Sequence, residues 1–221
     1  MIHFYFDETK FKIDGTEYLA LAGVLIEDQN LSSIISHLEE LKTKLKEDQF
    51  LGKKEENRLL HFTEDNLEIQ PKVIEYLREQ KVKVYIAYQV LSDDYQNTYN
   101  SVMTKILFDR FQKNHTYKFI INYEENTHIK PTKLNKAIGN ISKIVRERKP
   151  TFKEYSLVKV NKTEPLNVLP DYFLGVFRQY ITVNKRKDFM ERNFEKLRKK
   201  IRLILDMEND IFYHKDNPYN R

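Results

Sequence analysis

The sequence predicts an α/β fold, a mixed sheet led by an N-terminal hairpin and flanked by helices. Three observations lead there. Two apolar, strand-like stretches near 2–8 and 17–26 flank Asp14–Gly15, a dipeptide suited to a two-residue hairpin turn. Later strand-like runs alternate with segments of helical period, which packs helices onto a sheet. Only five glycines and six prolines punctuate 221 residues, with no linker or low-complexity run, so a single domain over 1–221 is expected.

The elements follow in order. A helix is predicted over 31–48, where Leu31, Ile34, Ile35, Leu38, Leu41 and Leu45 share one face. The charged connection "GKKEENRLLHFTED" leads to a helix near 68–80, with Pro71 opening "PKVIEYLREQ", a position where a missing amide donor is harmless. "VKVYIAYQVL" (82–91) reads as a strand, 95–113 as a helix, and "YKFIINYEEN" as a strand ending in acids. Pro131 opens a helix over 131–148, and Pro150 closes it. A strand near 154–161 and helices near 165–183 and 187–207 complete the chain before a polar tail. In the last helix Met190, Phe194, Leu197, Ile201 and Ile204 form a stripe. It must bury against this domain or against a second copy, as a homodimer through the C-terminal helix.

Composition narrows the function classes. With 40% apolar and 32% charged residues and no run near the roughly 18 apolar residues of a membrane span, the chain reads as soluble, with no membrane partner. The short N-terminal apolar patch, broken by Asp7 and Glu8, lacks a signal-peptide pattern, and the absence of cysteine excludes disulfides and thiolate metal sites. A cytoplasmic location is expected. Lys185–Arg202 holds nine basic and three acidic residues, a surplus exceeding the net +5 of the whole chain. That asymmetry suits a polyanion such as nucleic acid, with Arg192, Lys196, Lys199 and Lys200 lying off the apolar stripe; a solvated helix face is the alternative. No Gly-rich phosphate loop, HExxH, Cys/His zinc pattern or G-x-S-x-G elbow is present.

Acidic residues supply the candidate chemistry. Asp7 and Glu8 end the first predicted strand, Glu124 and Glu125 end "FIINY", and Asp171 opens the helix in "NVLPDYFLGVFRQY". Carboxylates gathered from separate elements suit a hard divalent cation, which prefers oxygen ligands and supports phosphodiester hydrolysis. Each acid also has a plainer reading, at a surfacing strand end or, for Asp171, in a first helical turn where the dipole favours negative charge. Gly175, one turn beyond Asp171, leaves room for a backbone or a ligand to approach.

These motifs resemble a large bacterial and phage group catalogued as domain of unknown function thirty-eight hundred. Tyr5, Phe6, Asp7, Glu8 and Thr9 match its Tyr/Phe-x-Asp-Glu-Ser/Thr opening, and "NRLLHFTED" places His61 at its histidine landmark. "NVLPDYFLG" matches its late helix, and order and spacing agree over about residues 2–180. The resemblance implies a ribonuclease H-like fold with carboxylates from strand one, strand four and a late helix at one site. It further implies a Mg²⁺- or Mn²⁺-dependent nuclease acting on DNA or RNA, with a role in phage defence or mobile-element conflict. Asp7, Glu124 and Asp171 would then be metal ligands, with Glu125 the alternative to Glu124, and Glu8 and His61 would assist. The chain departs from the pattern at Leu59, Val168 and Pro170. These departures keep open a second reading, a degenerate module of the same fold that binds nucleic acid or protein without cutting. His61 likewise has the alternative of a satisfied core histidine between Leu60 and Phe62.

Overall fold

The computed structural model describes residues 1–51, 59–182 and 188–219. Part of the charged connection (52–58), and Lys185, Arg186 and Lys187 of the basic segment, lie outside these described residues. Strands β1 (Ile2–Ile13) and β2 (Thr16–Glu27) form the predicted antiparallel hairpin. Its turn residues Asp14 and Gly15 both have positive φ, 48° and 84°, as a two-residue turn between twisted strands requires.

Five more strands build on this hairpin. β3 (Val82–Val90) pairs antiparallel with β2, and β4 (Phe119–Glu124) pairs parallel with the other edge of β1. β5 (Tyr155–Val160) lies parallel to β4, β6 (Ile201–Asp206) parallel to β3, and β7 (Ile211–Tyr213) antiparallel to β6. The result is one seven-stranded mixed sheet in the order β5-β4-β1-β2-β3-β6-β7.

Side-chain alternation divides the core into two layers. On one face Tyr5, Phe11, Ala20, Ala22 and Val24 pack under α1 (Asp28–Glu47), α2 (Ile69–Glu79), α5 (Val168–Thr182) and α6 (Asp188–Arg198). On the other, Phe4, Phe6, Leu19 and Leu21 pack under α3 (Tyr95–Lys113) and α4 (Pro131–Arg148). α5 is buried nearly all round, with eleven of its fifteen residues enclosed, so it behaves as a core helix laid on β1 and β2. No helix among the described residues is long and apolar enough to cross a membrane.

Three expectations need correction. β1 does not stop near residue 8 but continues to Ile13, because Phe11 and Ile13 keep the alternation going past the polar stretch. The predicted 187–207 helix ends at Arg198, and its second half is β6. Ile201 and Ile204 continue the helical spacing by coincidence. Leu203 and Leu205 pack into the opposite layer, and an apolar run filling both faces is a buried strand. The C-terminal stretch is not merely a polar tail: it forms β7 and buries Tyr219 against Phe177, Tyr180 and Tyr213.

The stripe on α6 is also satisfied within the chain. Phe194 stacks on Tyr180 of α5 at 3.9 Å between ring centroids, and both Phe194 and Leu197 are buried. Of the two burial partners expected for the stripe, this domain is the one that covers Phe194 and Leu197.

The packing yields a stability prediction. A Cβ on Gly23 would lie 2.7 Å from the Phe6 ring and 3.3 Å from Phe4, whereas one on Gly139 in α4 meets only the Tyr155 hydroxyl at 3.5 Å. Gly23→Ala is expected to destabilise by about 1–3 kcal/mol through overpacking. Gly139→Ala is expected to be neutral or to stabilise by up to about 1 kcal/mol through helix propensity. Urea unfolding of the two variants checks the contrast.

Candidate active site

Strand register creates the site. β1 and β4 pair from Ile2↔Phe119 to Phe6↔Tyr123, so Asp7 is the first β1 residue beyond the last pair. Phe4 and Phe6 point toward α3 and α4, which turns Asp7 toward α5. Tyr123 packs with Phe6, so Glu124 turns toward the α5 side as well. Asp7 and Glu124 thus stand on neighbouring strands, on one face, where the sheet begins to part.

α5 brings the third acid. Asp171 lies in its first turn, and its Oδ2 accepts the Phe62 backbone N–H at 2.7 Å. Its Oδ1 is 3.4 Å from His61 Nε2, and His61 Nδ1 lies 2.9 Å from Thr63 Oγ1. The segment carrying His61 is fixed by a second acid, Asp65, which accepts the His61 N–H at 3.1 Å and the Tyr172 hydroxyl. Gln70 clamps the same turn by donating to the carbonyls of Phe62 and Asp65. Gly175 explains the close docking: a Cβ there would fall 2.2 Å from the Phe62 ring. The room beside Asp171 is thus taken by Phe62, not by a ligand.

One pocket of about 340 Å³ is lined by Asp7, Glu8, His61, Glu124 and Asp171 together. Lys162, Asn167 and Arg178 line it too. Glu8 approaches from the other side of β1, held by the Tyr95 hydroxyl at 3.2 Å and Asn126 Nδ2 at 2.5 Å. Glu124 takes a 3.4 Å contact from Asn167 Nδ2 and lies 3.9 Å from Lys162 Nζ. Glu125 points away and pairs with Lys159 at 2.6 Å, half exposed, which separates the two glutamates clearly. His61 is no core histidine, since its side chain is 47% exposed at the pocket.

The acids disturb one another. Burial pushes the Asp7 carboxyl well above the usual carboxylate range, and the charges of Glu8, Asp171 and Glu124 push it further. Burial raises Asp171 to about 6, against the opposing pull of the Phe62 N–H and His61. Glu8 is raised by burial, with Asn126 and Tyr95 holding it back. As they stand, no three His, Asp or Glu side chains among the described residues form a group that could hold a metal ion. Asp171 is turned to Phe62 and His61, and Glu124 to Asn167, so the donors converge on one pocket without closing around a point.

The basic residues expected to meet a polyanion lie away from these acids. Arg192, Lys196, Lys199 and Lys200 line a separate groove with Glu27 and Val82, where β2 ends and β3 begins. Asp7 pairs with Ala22, five residues earlier on β2, which at about 3.4 Å per residue is roughly 17 Å along the strand. Lys196 pairs with Glu75 at 3.7 Å, and Lys200 donates to the Gln80 carbonyl. The cations beside the acids are Lys162 and Arg178, which sequence reasoning missed. Arg178 was within reach, because it follows Asp171 by seven residues, two helical turns along the same face. Asn167 and Asp65 carried no comparable signal.

Comparison with protein-family models and with curated proteins returned no match.

Raised carboxylate pKa values have a definite consequence for stability. Asp7, Glu8 and Asp171 hold their protons to higher pH in the folded chain than in the unfolded one. Their contribution is full below about pH 4 and is lost as pH rises through about 6 and above. In chelator-containing buffer, Asp7→Asn is expected to stabilise the protein at pH 7 by roughly 0.5–2 kcal/mol, with the gain vanishing near pH 4. Thermal melts of both proteins across that range test the sign.

Proposed function

We propose that this protein is a divalent-metal-dependent nuclease of ribonuclease H-like fold, related to the family whose motifs it resembles, and that it hydrolyses phosphodiester bonds of nucleic acid. The observation that carries this reading is the convergence of Asp7 from β1, Glu124 from β4 and Asp171 from α5 on one pocket. Their mutual repulsion at Asp7 would be relieved by positive charge. The hairpin-led mixed sheet, with acids just where the parallel pairing of β1 and β4 ends, supports the fold assignment.

The donor set fits Mg²⁺ or Mn²⁺. All three acids offer hard oxygen donors, and a fourth oxygen stands ready. Asn167 Nδ2 is committed to Glu124 and the Asn161 carbonyl, which fixes its amide orientation. Its Oδ1 is left buried without a hydrogen-bond partner among the described residues. Asp7, Glu124 and Asp171 would hold the ion, with Asn167 Oδ1 nearby. When bound, such an ion supplies charge against a developing oxyanion and makes water more acidic.

The chain's own residues account for the rest. β1 and β4 fix the Asp7 and Glu124 oxygens on rigid neighbouring strands, and the Phe62 N–H fixes Asp171 so that its Oδ1 faces His61. His61, oriented through Thr63 and open to solvent, is placed to take or give a proton at a reacting oxygen. Arg178 and Lys162 put positive charge beside the acids for the phosphates flanking the scissile bond. Glu8, gripped by Tyr95 and Asn126, lines the wall opposite His61.

A non-cutting binding module of the same fold is the second reading, favoured by the lack of a ready metal group among the described residues. One pair of experiments separates them. Under the nuclease reading, Mg²⁺ or Mn²⁺ raises the melting temperature of the wild type but not of Asp7→Asn, and chelator abolishes cleavage. Asp7→Asn and Glu124→Gln are expected to lose at least about 100-fold in cleavage rate, and His61→Ala roughly 100-fold. An Asp7→Asn protein that cuts at the wild-type rate overturns the proposal.

A further inference from the structure

A surface groove of about 1040 Å³ lies at the other end of the β2–β3 pair from the acids, and the fold fills it with positive charge. Two stretches of chain far apart in sequence, 78–83 and 192–202, contribute the cations. α6 and the turn after it supply Arg192, Lys196, Lys199 and Lys200. Arg78 comes from the end of α2, Lys81 from the residue just before β3, Lys83 from its start, and Arg202 from β6. Eight cations face only two carboxylates, Glu27 and Glu195, a surplus of six in a chain whose entire surplus is five. Both carboxylates are already engaged, Glu27 by Lys83 at 2.9 Å and Glu195 by Arg198 at 2.7 Å. Lys81, Arg192, Lys199 and Arg202 are exposed and have no carboxylate within 4 Å among the described residues. Burial and Arg202 together hold the Lys200 ammonium below its usual range, a sign of crowded charge.

We infer that this groove is a binding site for the phosphate backbone of duplex nucleic acid, separate from the carboxylate pocket. The occupant follows from the lining. Among the described residues the groove presents no aromatic ring, so it lacks the stacking platform that single strands use. Val82 is its single apolar side chain there, which gives an acidic peptide no anchor to bury. A duplex needs neither, because its closely spaced phosphates are gripped by cations alone. Binding in the groove requires no metal and no cleavage, so it stands or falls apart from the chemistry of Asp7.

The test is anisotropy of a short fluorescent DNA duplex with the full chain in chelator, across a series of KCl concentrations. Combined Lys81→Ala, Arg192→Ala and Lys199→Ala is expected to lower the log–log salt slope by about 2.7 and to weaken binding at least roughly tenfold. Combined Lys136→Ala, Lys143→Ala and Lys149→Ala, on exposed positions of and just after α4, removes the same charge from the opposite face and is expected to leave the slope unchanged. Asp7→Asn is expected to bind as the wild type does, whatever its cleavage. Thermal melts matching the wild type establish that both triple variants are folded. Equal losses in the two triple variants overturn the inference, since net charge alone then governs binding. So does absent duplex binding, or binding of a single strand or a polyglutamate peptide as tight as that of the duplex.

Discussion

The parallel pairing of β1 with β4 ends at Phe6 and Tyr123, one residue before each strand presents an acid. Within the ladder, side chains alternate between two apolar layers. At the next residue the partners diverge, and the face toward α5 becomes accessible through a pocket. Asp7 and Glu124 occupy that step because their parity is opposite to that of Phe6 and Tyr123, which the α3–α4 layer pulls the other way. A slip of one residue would send Asp7 into the aromatic layer and Phe6 into the pocket. The apolar core therefore sets where the acids stand.

Placing several buried carboxylates together is unfavourable by itself, and surrounding packing must hold them. Here the restraint is supplied by α5 and by the turn that docks on it. The helix is enclosed by β1, β2 and α6, so Asp171 sits on an element with little freedom to retreat. The Phe62 ring fits over Gly175 and meets Tyr172 edge-on, while Asp65 joins the same tyrosine to the backbone of His61. Removing charge from such a site relieves the repulsion that the packing must otherwise hold in place.

Much of this was readable in the chain itself. The hairpin, the alternating strands and helices, and the separate origin of the three acids all rest on local periodicity and turn chemistry, which tertiary context did not override. β6 was hidden because Ile201 and Ile204 prolong an i+3/i+4 series begun by Met190 and Phe194. Only the partners of Leu203 and Leu205 reveal that both faces are buried. Choosing Glu124 over Glu125 needed the register between β1 and β4, a non-local quantity that no window of sequence contains. The same is true of the cations: the charged run near 190–202 is conspicuous, yet its assembly with Arg78, Lys81 and Lys83 depends on the β3–β6 pairing. Lys162 and Arg178, isolated in sequence, become the acids' neighbours only once α5 lies on β1.

The late position of β6, β7 and Tyr219 bears on how the molecule is made. β6 pairs with β3 more than a hundred residues upstream, and Tyr219 closes the aromatic cluster around Phe177 and Tyr180 on α5. Synthesis proceeds from the N-terminus, so the hairpin, β4 and α5 all emerge while one flank of α5 is still bare. Until residues 201–219 arrive, the nascent chain shows the open edge of β3 and an uncovered aromatic surface to solvent or to a chaperone. Completion of the layer that holds Asp171 is thereby tied to residues made well after it, and contacts between residues so distant in sequence make that closing step slow.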